Sequence, residues 1–306
     1  MGRARRWSAG LLAGALVLTM AACQTGRGGD AGGGGTPGPD GGGAPDGGDE
    51  AGLVLQVRHA GGFVPMGYDF RTVPALTVYS DGQAILPGPM IEIYPGPALP
   101  NLRRVPPDTS EGADPSVRVA AILAAADEAG LLAPAPDYGM PNVTDLPTTT
   151  VALTVAGEVY EHAAYALGFG EPSGPDEGVG ADGLTAEQRE ARATLSAFLA
   201  RVDEIVVGAG PDEAYAPERF AYLAYPAGEW GGDPALVPGV VPWPLEASLA
   251  DAGACAVADG EAGATLAAAL AEASELTRFE DDGTEYEVFV RVLLPHETTC
   301  ADLGIG

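Results

Sequence analysis

Between residues 185 and 207 lies the stretch that most narrows what this chain can fold into. Thr185 and Gln188 stand at the spacing of a capping box, in which each side chain bonds the other residue's backbone N–H. Leu195, Phe198, Leu199, Val202, Ile205 and Val206 then recur at steps of three and four, so they share one face of a helix. A helix with one apolar face has to bury it, and the alternating segments elsewhere in the chain are the surface available.

Those segments have the period of strands. Leu53, Leu55 and Val57 alternate with polar residues, and Leu76 and Val78 run into Asp81-Gly82, a hairpin turn signal. Ile91 and Ile93 extend the β character up to a proline-rich segment, residues 95–107. Asp114 is placed to cap a helix over 117–132, with Pro115 at its first position and Gly130 weakening its end. Val151, Leu153 and Val155, then Val159 and Tyr160 beyond Gly157, predict a second hairpin. Further on come a strand over 220–225, a short helix through Leu266, Leu270 and Ala273, and a last strand with Tyr286, Val288, Val290 and Val292 after the Asp282-Gly283 turn. This order predicts an α+β fold, antiparallel sheet or sheets with helices packed on one face, rather than a doubly wound sheet. Strand, helix and strand recur over 76–85, 117–132 and 151–160, and again over 220–225, 264–276 and 285–293. That is a weak duplication with no repeated residue motif. The expected division is an N-terminal α+β domain, 52–207, and a C-terminal α+β region, 208–306.

The first 51 residues have a different character. Arg3, Arg5 and Arg6 precede an uncharged apolar stretch from Ala9 to Ala22, and small residues stand just before Cys23. This resembles a bacterial lipoprotein signal, which implies that residues 1–22 are removed and that Cys23 is the lipidated N-terminus. The apolar stretch falls short of the roughly 20 residues of a spanning helix. Residues 24–51 are mostly Gly, Pro and Asp, too poor in apolar side chains to order, and as a coil they span roughly 30 Å. The segment from Cys23 to residue 51 is thus a lipidated tether.

Two other stretches carry a resemblance. Thr77-Val78-Tyr79-Ser80-Asp81-Gly82, the following helix and Thr144-Asp145-Leu146-Pro147-Thr148-Thr149 resemble a small uncharacterised domain of bacterial exported proteins. Trp243-Pro244-Leu245 and the run from Arg291 to Glu297 that leads to Cys300 resemble the C-terminal part of actinobacterial lipoproteins of unknown function. Both imply an extracytoplasmic location, and neither implies an activity.

Charge limits the partners. The chain has 43 acidic and 15 basic residues, net −28, and every basic residue is Arg. Loss of residues 1–22 would leave a net charge near −31, since three of the arginines go with them. Such a chain is repelled by nucleic acid and anionic headgroups, so membrane attachment has to come from the lipid at Cys23. The absence of Lys removes Schiff-base chemistry, a P-loop and Ser/Lys pairs. A high-GC genome and a salt-adapted cell both account for this composition.

With Cys23 lipidated, Cys255 and Cys300 form an even pair in an oxidising compartment, predicting a disulfide that closes a loop of about 46 residues and stabilises by roughly 4 kcal/mol. His59, His162 and His296 show no metal-ligand spacing, and no nucleophile elbow or phosphate loop occurs. Asp145 is read as a turn former whose carboxylate takes backbone N–H groups. Asp176, Glu177 and Asp182 share one loop and Glu280, Asp281 and Asp282 another, and both are read as solvated acidic loops rather than calcium sites. No metal and no cofactor is therefore expected. Trp230 and Trp243 with Tyr222 and Tyr225 are candidates for an aromatic ligand platform, against core packing. The expected role is a lipid-anchored, non-catalytic binding or interaction module at the cell envelope, its partner an envelope protein or a glycan. The alternative is an envelope enzyme using paired carboxylates on a glycan or peptide.

Overall fold

Alternation and turn chemistry determine most of the elements. The computed structural model describes residues 51–90, 92–107, 114, 116–169, 183–207 and 212–303. Cys23 with the signal and nearly all of the tether, Ile91, Pro115 and the loop of Asp176, Glu177 and Asp182 lie outside the described residues. The strands are β1 (Leu53–Ala60), β2 (Leu76–Tyr79), β3 (Ala84–Pro87), β4 (Leu102–Val105), β5 (Thr148–Val155), β6 (Glu158–Tyr165), β7 (Glu213–Ala214), β8 (Phe220–Pro226), β9 (Val240–Pro242), β10 (Ala256–Ala258), β11 (Arg278–Asp281) and β12 (Thr284–Val292). The helices are α1 (Tyr68–Arg71), α2 (Ser116–Glu128), α3 (Ala186–Val207) and α4 (Gly260–Ala271).

The first sheet runs β6-β5-β1-β2-β3-β4-β7 and is antiparallel throughout; the second runs β10-β8-β12-β11-β9, with β9 parallel to β11. This is the α+β architecture. Ala156 and Gly157 both have positive φ in the two-residue turn between β5 and β6, as do Asp282 and Gly283 between β11 and β12, the conformation a tight hairpin needs. The capping box forms as read: Thr185 N donates to Gln188 Oε1 at 2.8 Å and Gln188 N to Thr185 Oγ1 at 3.2 Å. Asp114 also caps, taking the Ser116 N–H at 2.9 Å.

Helices α2 and α3 cover one face of the first sheet. Ile122 and Ala126 of α2 and Leu195, Phe198, Val202 and Val206 of α3 pack on Leu55, Val57, Val78, Val151 and Leu153. In the second core α4 brings Leu266 and Leu270 onto Phe220, Tyr222, Val290 and Val292. It comes close enough that a Cβ on Gly263 would lie 2.2 Å from the Glu218 carbonyl oxygen.

The two sheets share material. Beyond residue 207, β7 completes the first sheet, while Val73 and Leu102 join the second core and Leu294 packs on Tyr79 and Ile85. Residues 51–303 accordingly lie within one compact unit.

Three details differ from expectation. Ile93 is exposed and belongs to no strand; the next strand is β4, inside the proline-rich segment. The two strand–helix–strand runs differ in topology: β2 and β5 are separated by β1, whereas β8 and β12 are direct antiparallel neighbours. Asp145 sits at φ 64°, and its backbone carbonyl accepts the Phe63 N–H while its carboxylate takes the Thr144 hydroxyl.

Candidate functional site

The two tryptophans and two tyrosines do not form one platform. Tyr222 and Trp243 are buried, with ring centroids 5.2 Å apart, and Trp243 also meets Phe279 edge-on at 5.3 Å. The reason is register: Tyr222 faces α4 along with Val290, its cross-strand partner, and the Trp243 indole N–H is used on the Ala247 carbonyl at 2.8 Å. Tyr225 has the opposite parity in β8, so it projects from the other face, edge-on to Phe289 at 5.9 Å. Trp230 lies in a loop and donates to the Asp233 carbonyl.

Cys255 and Cys300 are bridged and pack with Leu293, Leu303 and Ala221. Asp281 takes the Ser248 hydroxyl and the Leu249 N–H, both at 2.7 Å, and Glu280 takes the Gly283 N–H, so these two carboxylates organise turns. Among the described residues no group of three or more His, Cys, Asp or Glu is arranged to hold a metal.

Each histidine is engaged. His162 is fully buried; its Nε2–H donates to the Leu131 carbonyl at 2.9 Å, so Nδ1 accepts from the Tyr138 hydroxyl at 2.8 Å. Burial holds the Tyr138 phenol up to about 12. His59 Nδ1 lies 3.0 Å from the Thr149 hydroxyl.

His296 stands at a polar junction between the sheets. Gln56 Nε2 donates to its Nε2 at 3.2 Å, which leaves the ring proton on Nδ1 to donate to Tyr79 Oη at 3.0 Å. Beside it Arg291 and Glu297 form a buried pair at 2.9 Å, and Glu297 also accepts the Leu294 N–H at 2.8 Å. Arg219 donates to the Pro295 carbonyl at 2.7 Å. Asp302, holding the N–H groups of Thr298 and Thr299, is lowered to about 2 and fixes the same segment. Sequence reading missed this cluster because its members are distant in the chain. Chemically it is a fastening: Tyr79 is pushed far above its ordinary value by burial, and both nitrogens of His296 are spent on the first sheet.

The junction makes stability depend on pH. Burial lowers the affinity of His296 for a proton, with Glu297 and Asp302 opposing and Arg291 and Arg219 assisting, and burial lowers that of His59 as well. Both bind protons more weakly folded than unfolded, so their contribution is complete above the ordinary value of 6.5 and is lost as pH falls below it. We expect the urea midpoint to fall between about pH 7.5 and pH 5.5, and His296→Gln to flatten part of that slope.

A groove of about 260 Å³ is open and lined by Gly130, Leu131, Pro136, Tyr138, Glu187 and Glu190. Glu187 and Glu190 share a helix face, but hydrogen bonds at the start of α3 lower the Glu187 carboxyl. That is the opposite of what a general acid requires.

Elsewhere the surface is apolar at Met90, Ile93 and Tyr94 and at the loop that leads into α1. In that loop Phe63, Met66 and Tyr68 are 90, 67 and 45% exposed, although the loop itself is pinned: Phe63 N bonds the Asp145 carbonyl, and Gly67, at φ 76°, lies directly against the Phe289 ring. Arg71 covers the same ring at 5.8 Å, and Tyr225 stands at its edge. No family model, no curated protein and no solved structure matches this chain.

Proposed function

We propose that this chain is a lipid-anchored protein on the extracytoplasmic side of a bacterial cell membrane, of the kind found among actinobacterial lipoproteins, and that it works as a non-catalytic interaction module. The observation that carries the reading is the pinned apolar loop. Phe63, Met66 and Tyr68 are large, exposed and close in sequence on an ordered loop that packs on Phe289 through Gly67, which suits recognition of a partner surface. The Cys255–Cys300 bridge fits an oxidising compartment, and the sequence up to Cys23 supplies the anchor. The chemistry-bearing side chains support the same reading, since His162 and His296 and the Arg291–Glu297 pair are committed to one another or to the backbone.

Cys23→Ser is expected to move the protein from the membrane to the soluble fraction with its melting temperature unchanged; retention in the membrane fraction would refute the anchor. In affinity capture from envelope extracts, Phe63→Ser with Met66→Ser should abolish recovery of a partner that the parent chain retains. Turnover of a peptidoglycan fragment or a peptide by the purified chain would overturn the non-catalytic reading.

A further inference from the structure

Strand β6 is an edge of the first sheet, long and regular, and from Val159 to Ala163 its outer side is paired with no described residue. Its pairing with β5 runs without a bulge from Thr148↔Tyr165 to Val155↔Glu158. Ala166 N donates to the Pro147 carbonyl at 2.9 Å, and this fixes the phase of the ladder. Tyr160, His162 and Ala164 exchange bonds with β5, while Val159, Glu161, Ala163 and Tyr165 turn their N–H and C=O outward. The Tyr165 carbonyl is taken by Arg192 at 2.9 Å, which agrees with that phase. No described residue bonds the outward groups of Val159, Glu161 and Ala163.

Natural edges of this kind are blunted by charged side chains, Lys above all, by Pro, by a bulge or by a covering element. Of these β6 has only charge among the described residues: its sequence, Glu-Val-Tyr-Glu-His-Ala-Ala-Tyr, carries two acids and no Lys or Arg, so the edge is guarded against acidic strands and left open to basic ones. The side chains of Val159, Glu161 and Ala163 are exposed on the face of the sheet away from α2 and α3. An added strand would gain hydrogen bonds from the edge and contacts from this face, the mode of β-augmentation. A second copy is disfavoured as the occupant, because it would bring two sets of Glu158 and Glu161 together on chains of net charge −28. Charge complementarity selects the reverse.

We infer that the open edge of β6 docks an extended, Lys- or Arg-bearing segment of a partner protein, which adds as an outer strand with its basic side chains beside Glu161. The inference names a partner class for the interaction module and rests on that reading for its biological setting.

The test uses the full chain in detergent and a short fluorescent peptide alternating lysine with valine. Binding is expected to weaken as salt rises, to slow amide exchange at Val159, Glu161 and Ala163, and to fall about tenfold in Glu161→Lys. N-methylation of alternate peptide residues keeps the charge and removes strand pairing, so it should abolish binding. Equal binding of the N-methylated peptide or of a glutamate counterpart, protection confined to another surface, or self-association through β6 would each overturn the inference. Partner capture through the Phe63 loop without peptide binding at β6 would overturn this inference alone. Substrate turnover would instead strike the module reading and leave the edge measurement standing.

Discussion

Glu297→Ala is expected to lower the unfolding free energy by about 3–5 kcal/mol, the largest effect of any single side-chain truncation in the polar junction. The pair it breaks is nearly inaccessible, with side-chain exposures of 2% for Arg291 and 4% for Glu297. Removing the carboxylate leaves a guanidinium in a dry site, where burial already weakens its hold on a proton, and strips the Leu294 N–H of its acceptor. The destabilisation measures a stranded charge rather than the worth of the pair. Replacing both, Arg291→Met with Glu297→Leu, should therefore recover most of the loss, to within about 2 kcal/mol of the parent chain. Urea denaturation of the parent, the two single variants and the double variant checks this; a double variant as unstable as Glu297→Ala would show that the pair contributes more than mutual neutralisation.

The second large effect is expected at the disulfide. Cys300→Ala should cost about 2–5 kcal/mol, since the bridge shortens the unfolded chain's excursions across 45 residues of sequence. For a chain of this size that is a fall in melting temperature of roughly 10 °C, read by calorimetry. The bridge also holds the C-terminal segment under Leu293 and Leu303, so the reduced parent chain should behave like the variant. A melting temperature insensitive both to reductant and to the substitution would show that packing alone secures that segment.

What could be read from sequence was local. The α3 capping box, the positive-φ pairs at Ala156-Gly157 and Asp282-Gly283, and the apolar stripe of α3 depend on residues within a few positions of one another. β4 was hidden because its strand character comes from pairing with β3 and β7, secured by Arg103 with Asp212 and Arg104 with Glu213, while its flanking prolines read as loop. Trp243 was left between core packing and a ligand platform for a related reason: a Gly- and Pro-rich neighbourhood says nothing about whether a ring turns inward, and the Tyr222 and Phe279 rings that receive it come from other strands. The junction at His296 was least legible. Its partners are 240 and 217 residues away, so no spacing rule reaches them.

Those same separations bear on how quickly the chain can acquire its structure. β1 lies in the interior of the first sheet, between β2 and a β5 that follows about 90 residues later, and its Gln56 waits for His296 near the other end of the described fold. Contacts that close such long loops pay their entropy before they return any stability, which places this fold among the slow ones. During that interval β6 and the apolar loop at Phe63 are open to any neighbouring chain, and the heavy negative charge that narrows the choice of partner also keeps unfinished molecules apart.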